Sequence, residues 1–241
     1  MILSVYCAAA GVSETADHVV AREFVPVSYR SQIPQVPACR KCNKDKSDLE
    51  YYLTVVLLFG GRHADAAANL QNDGPRRLAK NQKLHRELAR RSARIWTRKP
   101  SGLVVRALTL PIDGEKVEKL TGFIVRGLMW HHWNIVLGPD NFVDVLSLTP
   151  RGEAFFDRYQ KMRARDRVRG DIGNGALVYE GAQGIDNPQI SIWELSMLGG
   201  AKMVGAGDTD FTSKFGVMTG PQSIKHRADE RIRRGAFILA T

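Results

Sequence analysis

The sequence predicts an α+β fold arranged as three successive blocks. Its 241 residues, 44% hydrophobic and 25% charged, have the composition of a globular protein with a sizeable core, which excludes wholesale disorder. Residues 1–50 are short strand-like pieces and loops, residues 51–99 show helical spacing of apolar side chains, and residues 100–241 mix both patterns. We therefore expect an N-terminal module, a helical segment and a C-terminal α+β domain.

Positive charge is concentrated in one part of the chain. The net charge is +10, and residues 76–99 alone contain ten basic residues against a single acid, Glu87. A smaller basic excess covers residues 158–169. Such concentration indicates a polyanionic partner, most simply nucleic acid, and the alternative is a solvated helix face.

Several protein classes are excluded or disfavoured. No apolar run approaches the roughly 20 residues of a membrane span, because the longest, residues 53–59, ends at two glycines. The first residues lack the basic start of a signal peptide. Three cysteines do not suggest a disulfide framework, and a Cys-x-x-Cys pair at Cys39 and Cys42 is typical of a metal clip in a reducing compartment. We expect a cytoplasmic protein.

The first two blocks give these elements in order. Residues 2–6 are expected to form a strand, and residues 32–38, with two prolines, an extended segment. Ser47 or Asp48 can cap a helix that ends or bends at Gly60 and Gly61. A long amphipathic helix is predicted over residues 76–96, with Leu84, Leu88 and Ile95 on its docked stripe. Six of its basic residues are expected to contact nucleic acid: Arg76, Lys80, Lys83, Arg90, Arg91 and Arg94.

The third block alternates strands and helices. Asp113 can cap a helix over residues 114–133, and a second helix is predicted over residues 150–168. Candidate strands cover residues 103–110, 142–148, 177–180, 190–197 and 237–239. The glycine-rich residues 199–207 lack the context of a nucleotide-binding loop and are predicted to be turns. The aromatic and histidine residues at 130–133 are interpreted as core rather than as a metal site.

Three short sequences in the first block carry the chemistry. They are Ser4-Val5-Tyr6-Cys7, then Asp17-His18, then Cys39-Arg40-Lys41-Cys42-Asn43-Lys44-Asp45-Lys46. In order and spacing, residues 4–55 resemble the HNH endonucleases, the ββα-metal nucleases, and most of all the bacterial members in which two Cys-x-x-Cys pairs flank an Asp-His pair. The resemblance implies a β-hairpin, a loop, and a helix that begins just after the second cysteine pair.

The resemblance also implies a role for each residue. His18 is the general base, since a neutral imidazole with an ordinary pKa near 6.5 can take a proton from water. Asp17 and Asn43 hold one divalent ion, Mg²⁺ or Mn²⁺, through oxygen atoms. Because neighbouring strand residues point to opposite faces, the family needs a distorted hairpin entry to bring both to one phosphate. Lys46 contacts phosphate or is a surface lysine.

Two departures from the family pattern stand out. Ser4 occupies the position of the first cysteine, so a zinc site would contain Cys7, Cys39 and Cys42 with a fourth ligand, for which His63 is a remote candidate; alternatively the site has decayed. The middle asparagine of the family corresponds to Pro34. Gln32 or Gln35 is expected to take over its task of fixing the backbone near His18.

We therefore expect a metal-dependent DNA endonuclease or nickase with double-stranded DNA as its partner. The basic helix would lie along the phosphate backbone and give salt-sensitive affinity with little sequence preference. The alternatives are a nucleic-acid-binding module with an inactive nuclease site, and an RNase or toxin-like effector. A homodimer, or a protein partner bound through residues 100–241, is left open.

Overall fold

The structure is a computed structural model that describes residues 3–56, 79, 81–98, 101–110, 112–162, 164–200 and 212–225. It mixes helices and antiparallel sheets, which confirms the predicted α+β class. The part of the chain it describes contains no helix that is both long and apolar enough to cross a membrane. Gly60, Gly61 and His63, the basic residues Arg76 and Lys80, and the predicted strand at 237–239 lie outside the described residues.

The N-terminal segment forms a hairpin followed by a helix. Strand β1 (Thr15–His18) pairs antiparallel with strand β2 (Gln35–Ala38), and two short 3-10 helices, Arg22–Phe24 and Val27–Gln32, connect them. Helix α1 (Arg40–Val56) follows after one residue. The predicted strand at 2–6 is reduced to a bridge between Leu3 and Ala10.

Helix α1 begins seven residues earlier than the predicted cap at Ser47. It also continues past residue 50, the predicted end of the N-terminal module. Its first half has few apolar residues, so its hydrophobic periodicity is weak there. Ion pairs spaced four residues apart support this half instead: Lys41 with Asp45 at 2.8 Å and Lys44 with Asp48 at 3.0 Å. The start of this helix therefore depends on charge pairing rather than on an apolar stripe.

The basic segment is a shorter helix followed by a β-ribbon. Helix α2 (Gln82–Arg91) begins at Asn81, whose side chain accepts a hydrogen bond from the Leu84 amide, and it buries Leu84 and Leu88 as predicted. The prediction of one helix up to residue 96 is wrong, because β3 (Ala93–Arg98) pairs antiparallel with β4 (Val104–Thr109). Isoleucine, tryptophan and threonine within β3 favour a strand over a helix.

Both remaining helices were predicted, and the second is shorter than predicted. Helix α3 (Gly114–Trp133) begins at Asp113, whose side chain accepts from the Lys116 amide at 3.2 Å. Helix α4 (Pro150–Lys161) is capped by Thr149 and ends earlier than the predicted residue 168, because strand β6 begins at Asp166.

A five-stranded antiparallel sheet completes the fold. Its strands are ordered β5–β9–β8–β7–β6. They are β5 (Asn141–Ser147), β6 (Asp166–Ile172), β7 (Leu177–Gln183), β8 (Ser191–Met197) and β9 (Lys214–Pro221). Strands were predicted at β5, β7 and β8, whereas β6 and β9 were missed. Gly199 and Gly200 lie in turns, with φ of 68° and 85°.

Helix α3 joins the N-terminal segment to this sheet. It packs against α1 and β2 on one side and against β5 on the other. Gly127 allows a close approach, since a Cβ atom there would lie 2.9 Å from the Val19 side chain. One hydrophobic core consequently runs from Val19 through Leu128 to Trp193, all three fully buried.

Candidate functional site

The three cysteines form a cluster beside the start of α1. Cys7 lies in the N-terminal turn, Cys39 between β2 and α1, and Cys42 in the first turn of α1. Their sulfur atoms all lie within 4.8 Å of one another, with 4.0 Å between Cys7 and Cys39. Sulfurs bound tetrahedrally to zinc at 2.3 Å are about 3.8 Å apart, so this cluster fits three corners of a zinc site.

Ser4 lies next to the cluster, at the position that corresponds to the first cysteine in the resemblance to HNH endonucleases. Its side chain is buried, and its Oγ accepts a hydrogen bond from the Cys39 amide at 3.1 Å. The Ser4 carbonyl accepts from the amide of Ala8, which has a left-handed φ of 59°. Ser4 therefore ties the Cys7 turn to the start of α1, and this contact does not require a metal.

Local contacts lower the pKa of Cys39 and raise the pKa of Cys42. Partial burial raises the pKa of Cys39, but hydrogen bonds from the Cys42 amide and from neighbouring side chains, Ser4 among them, bring it down to about 7. Burial and the other two thiols raise the pKa of Cys42 to about 12. Cys39 therefore ionises before Cys42, and an ionised sulfur is the form that binds a metal.

Asp17 and His18 point to opposite faces of β1. The strand is regular, with Asp17 paired to Val36 and His18 to Gln35, so the expected distortion of the hairpin entry is absent. Asp17 faces inward and is nearly buried, while His18 is half-buried on the other face. The hairpin alone therefore does not bring the two side chains to one point.

Asp17 belongs to a buried polar cluster. Its Oδ2 accepts a hydrogen bond from the Tyr6 hydroxyl at 2.7 Å and lies 3.0 Å from the Lys46 Nζ. Lys46 also lies 2.5 Å from Glu50 Oε1 and donates to the His18 carbonyl at 2.7 Å. Because both contacts of Asp17 use Oδ2, Oδ1 is the atom through which it can ligate an ion.

The predictions for Lys46 require correction. Its side chain is 0% exposed, so it is neither a surface lysine nor a phosphate contact. A buried ammonium needs full compensation, and two carboxylates and a carbonyl supply it. Burial raises the pKa of Glu50 to about 7, against the opposing attraction of Lys46. Burial, together with Asp17, also raises the pKa of Tyr6.

The contacts of His18 change the expected role of Gln35. The Gln35 amide lies 2.9 Å from His18 Nε2. An amide NH₂ group can only donate, so Nε2 is the acceptor and the neutral ring carries its proton on Nδ1. Burial and the nearby Arg22 lower the pKa of His18, which favours this neutral form. Gln35 thus orients the ring, whereas Lys46 fixes the backbone carbonyl of His18.

Asn43 faces β1 from the first turns of α1. Its Nδ2 donates to Thr15 Oγ1 at 3.0 Å, and that hydroxyl donates to the Ala38 carbonyl at 2.9 Å. Thr15 and Asp17 share one face of β1, so Asn43 and Asp17 lie on the same side of the hairpin. This arrangement fixes the amide plane of Asn43 and leaves its Oδ1 available as an oxygen ligand.

The basic residues divide between two elements. Lys83, Arg90 and Arg91 are exposed on α2, whereas Arg94 is exposed on β3 rather than on the predicted helix face.

His132, in the aromatic run at 130–133, contacts the Tyr179 hydroxyl through Nε2 at 2.8 Å. In the part of the chain that the structure describes, the cysteine cluster is the one group of three or more histidine, cysteine or acidic residues placed closely enough to hold a metal ion.

Sequence reasoning missed Tyr6 and Glu50 as members of the site. The four-residue spacing of Lys46 and Glu50 is a signal for an ion pair on one helix face, but it does not show that the face is buried. Tyr6 carried no signal, because its contact with Asp17 joins residues 11 positions apart through a turn.

Comparison with known protein families, curated proteins and solved structures found no match to this chain. The resemblance to HNH endonucleases therefore depends on the motif residues of the sequence.

Proposed function

We propose that residues 3–56 form an HNH-type module and that the protein is a metal-dependent nuclease that hydrolyses phosphodiester bonds in DNA. One observation carries the proposal: β1, β2 and α1 follow one another as hairpin and helix, with His18 at the end of β1 and Asn43 near the start of α1. This is the order that the motif residues imply for such a module.

The surroundings of His18 support its role as the general base. Lys46 holds the backbone carbonyl of His18, which fixes the position of a residue whose ring lone pair must meet a water molecule. Gln35 occupies Nε2 in this structure and has to give way to that water. Its replacement by water requires only a side-chain rotation, because Gln35 is exposed.

Asp17 Oδ1 and Asn43 Oδ1 are the oxygen atoms that would hold a Mg²⁺ or Mn²⁺ ion, and both side chains lie on one side of the hairpin. Such an ion supplies positive charge to the scissile phosphate and to the leaving oxygen. The residues of the chain have separate tasks: Lys46 and Tyr6 anchor the second oxygen of Asp17, and Thr15 anchors the amide of Asn43.

Plasmid cleavage with Mg²⁺ or Mn²⁺ tests the proposal. We expect nicking by the wild type and a loss of about 10²- to 10⁴-fold in His18→Ala, the usual contribution of a general base. His131→Ala is the matched control, because His131 is exposed near the end of α3, away from the basic helix in sequence, and it should cleave at the wild-type rate. Full activity of His18→Ala would remove His18 from the mechanism.

A second candidate function is favoured by the regular geometry of β1. Asp17 and His18 diverge, and a buried lysine already compensates Asp17, as expected for a nucleic-acid-binding module whose nuclease site is inactive. This candidate predicts wild-type binding to DNA with no cleavage of DNA or RNA in any divalent metal. Cleavage of RNA alone would instead identify an RNase.

We further propose that Cys7, Cys39 and Cys42 bind one zinc ion that holds the N-terminal turn to α1. Elemental analysis of the purified protein should give one zinc per chain, and Cys42→Ser should lose it. Nickel or iron in its place, or no metal in the wild type, would contradict the assignment. Lys44→Ala, two residues away and exposed, should retain the metal.

A further inference from the structure

Strands β3 and β4 form a two-stranded ribbon with one fully exposed face. In the register of the pair, Arg94 lies opposite Leu108 and Trp96 opposite Arg106. Side chains directly opposite each other point to the same face, so these four residues and Val104 share it. Trp96 is 67% exposed, Leu108 57% and Val104 56%. Several large apolar side chains exposed together on one face are typical of an interaction surface.

The charged residues of this ribbon are all basic. Residues 93–109 include four basic residues and no acid. Among the described residues, neither Arg94 nor Arg106 has a carboxylate partner, and the Arg106 guanidinium lies 5.4 Å from the centre of the Trp96 ring. An acidic surface is the complementary partner for such a face, and nucleic acid is the commonest polyanion.

The ribbon continues directly from the basic helix. One residue, Ser92, separates the end of α2 from the start of β3. Lys83, Arg86 and Arg90 are exposed on α2 and line a surface depression together with one acid, Glu87. The basic helix and the basic ribbon are therefore adjacent along the chain.

We propose that the β3–β4 ribbon enters the major groove of double-stranded DNA, with Arg94, Trp96 and Arg106 facing the base edges. The proposal rests on the proposed function only in taking DNA as the ligand. The major groove is about 12 Å wide and admits a two-stranded ribbon. Arginine donates to guanine N7 and O6 there, while exposed apolar side chains contact thymine methyl groups.

A single strand fits the ribbon less well. Proteins that bind single strands stack successive bases on several aromatic rings. The ribbon has one aromatic residue, Trp96, and Arg106 already covers one face of its ring. Duplex DNA needs no free ring faces, only donors and apolar groups along a narrow edge.

Fluorescence anisotropy with a 20-base-pair duplex tests the proposal. All proteins carry His18→Ala and no divalent ion is added, so cleavage does not enter the measurement. Arg94→Gln/Arg106→Gln should weaken binding at least tenfold, since each good arginine contact to a base contributes about fivefold or more and the variant loses both. Lys119→Gln/Arg151→Gln, the same charge change on exposed positions of α3 and α4, should alter the affinity less than threefold.

A duplex with 7-deazaguanine in place of guanine locates the contact. This duplex lacks the N7 acceptor in the major groove. The protein that retains Arg94 and Arg106 should therefore bind it more weakly than the ordinary duplex, whereas the double variant should bind both duplexes equally. Equal binding of both duplexes by the intact protein would overturn the proposal, as would tighter binding of the matching single strand. If cleavage never occurs in the wild type but these binding results hold, the nuclease assignment fails and the ribbon proposal stands.

Discussion

The N-terminal module and the five-stranded sheet have opposite kinds of interior. At the centre of the module, a fully buried lysine contacts two carboxylates and a carbonyl. At the centre of the sheet, Trp193, Leu195 and Val217 are fully buried among apolar groups, and the buried hydroxyls of Ser191 and Thr219 bond to each other at 2.7 Å.

The difference follows from what each region has to hold. Apolar packing stabilises without fixing direction, which is sufficient for a sheet that serves as a platform. Hydrogen bonds and ion pairs are directional, and the module uses them to fix the end of β1 against α1, where Asp17, His18 and Asn43 lie. Burying the lysine costs desolvation free energy, and its directional contacts give the module a defined geometry.

Removing the lysine charge should produce the largest effect. Lys46→Met keeps the length of the side chain but leaves Asp17 and Glu50 buried without a cation. We expect a loss of about 3–5 kcal/mol in the free energy of unfolding, measured by urea denaturation. Lys44→Met is the matched control, because Lys44 and Asp48 form an exposed pair on the same helix, and it should change stability by less than about 1 kcal/mol.

Equal stability of the two lysine variants would show that the buried cluster contributes nothing to the fold of the module. The contrast between the two interiors would then be one of composition only.

Much of the fold was predictable where a local pattern decides the structure. The cap at Asp113 and the apolar periodicity after it located α3, and alternation located β7 and β8. The resemblance to HNH endonucleases implied that the cysteine pair and Asn43 would lie near Cys7 and β1, and the structure brings these residues together.

The remainder depends on partners distant in the chain. Strand β3 continues the helical spacing of Leu84 and Leu88 through Ile95, and only its pairing with β4 determines that it is a strand. Lys46 is the clearest case for the site, because lysine is almost always exposed and its burial follows from three acceptors contributed by two elements.

The sheet should be sensitive to volume rather than to charge. Gly181 lies opposite Trp193 in the β7–β8 pair, and a Cβ atom there would come within 2.5 Å of the buried indole ring. Gly181→Ala should therefore lower the free energy of unfolding by about 1–3 kcal/mol, the usual cost of overpacking. Gly114→Ala, at the open first residue of α3, should leave stability unchanged or raise it. Indistinguishable urea midpoints for these two variants would count against the close packing of the sheet.

The pH dependence of the module should give the smallest effect and the sharpest contrast with the sheet. The folded protein holds the proton of Glu50 up to about pH 7, whereas the unfolded chain releases it near its ordinary value of 4.5. Between these values the folded state binds more protons, so the contribution of Glu50 to the free energy of unfolding falls as the pH rises, by an amount on the order of 1–2 kcal/mol between pH 5 and pH 7. Glu50→Gln keeps the acceptor for Lys46 and removes the titration, so its stability should vary less steeply over this range in urea denaturation at pH 5, 6 and 7. If wild type and Glu50→Gln have parallel pH profiles, Glu50 is ionised throughout, and the buried cluster is a fixed ion pair rather than a titrating one.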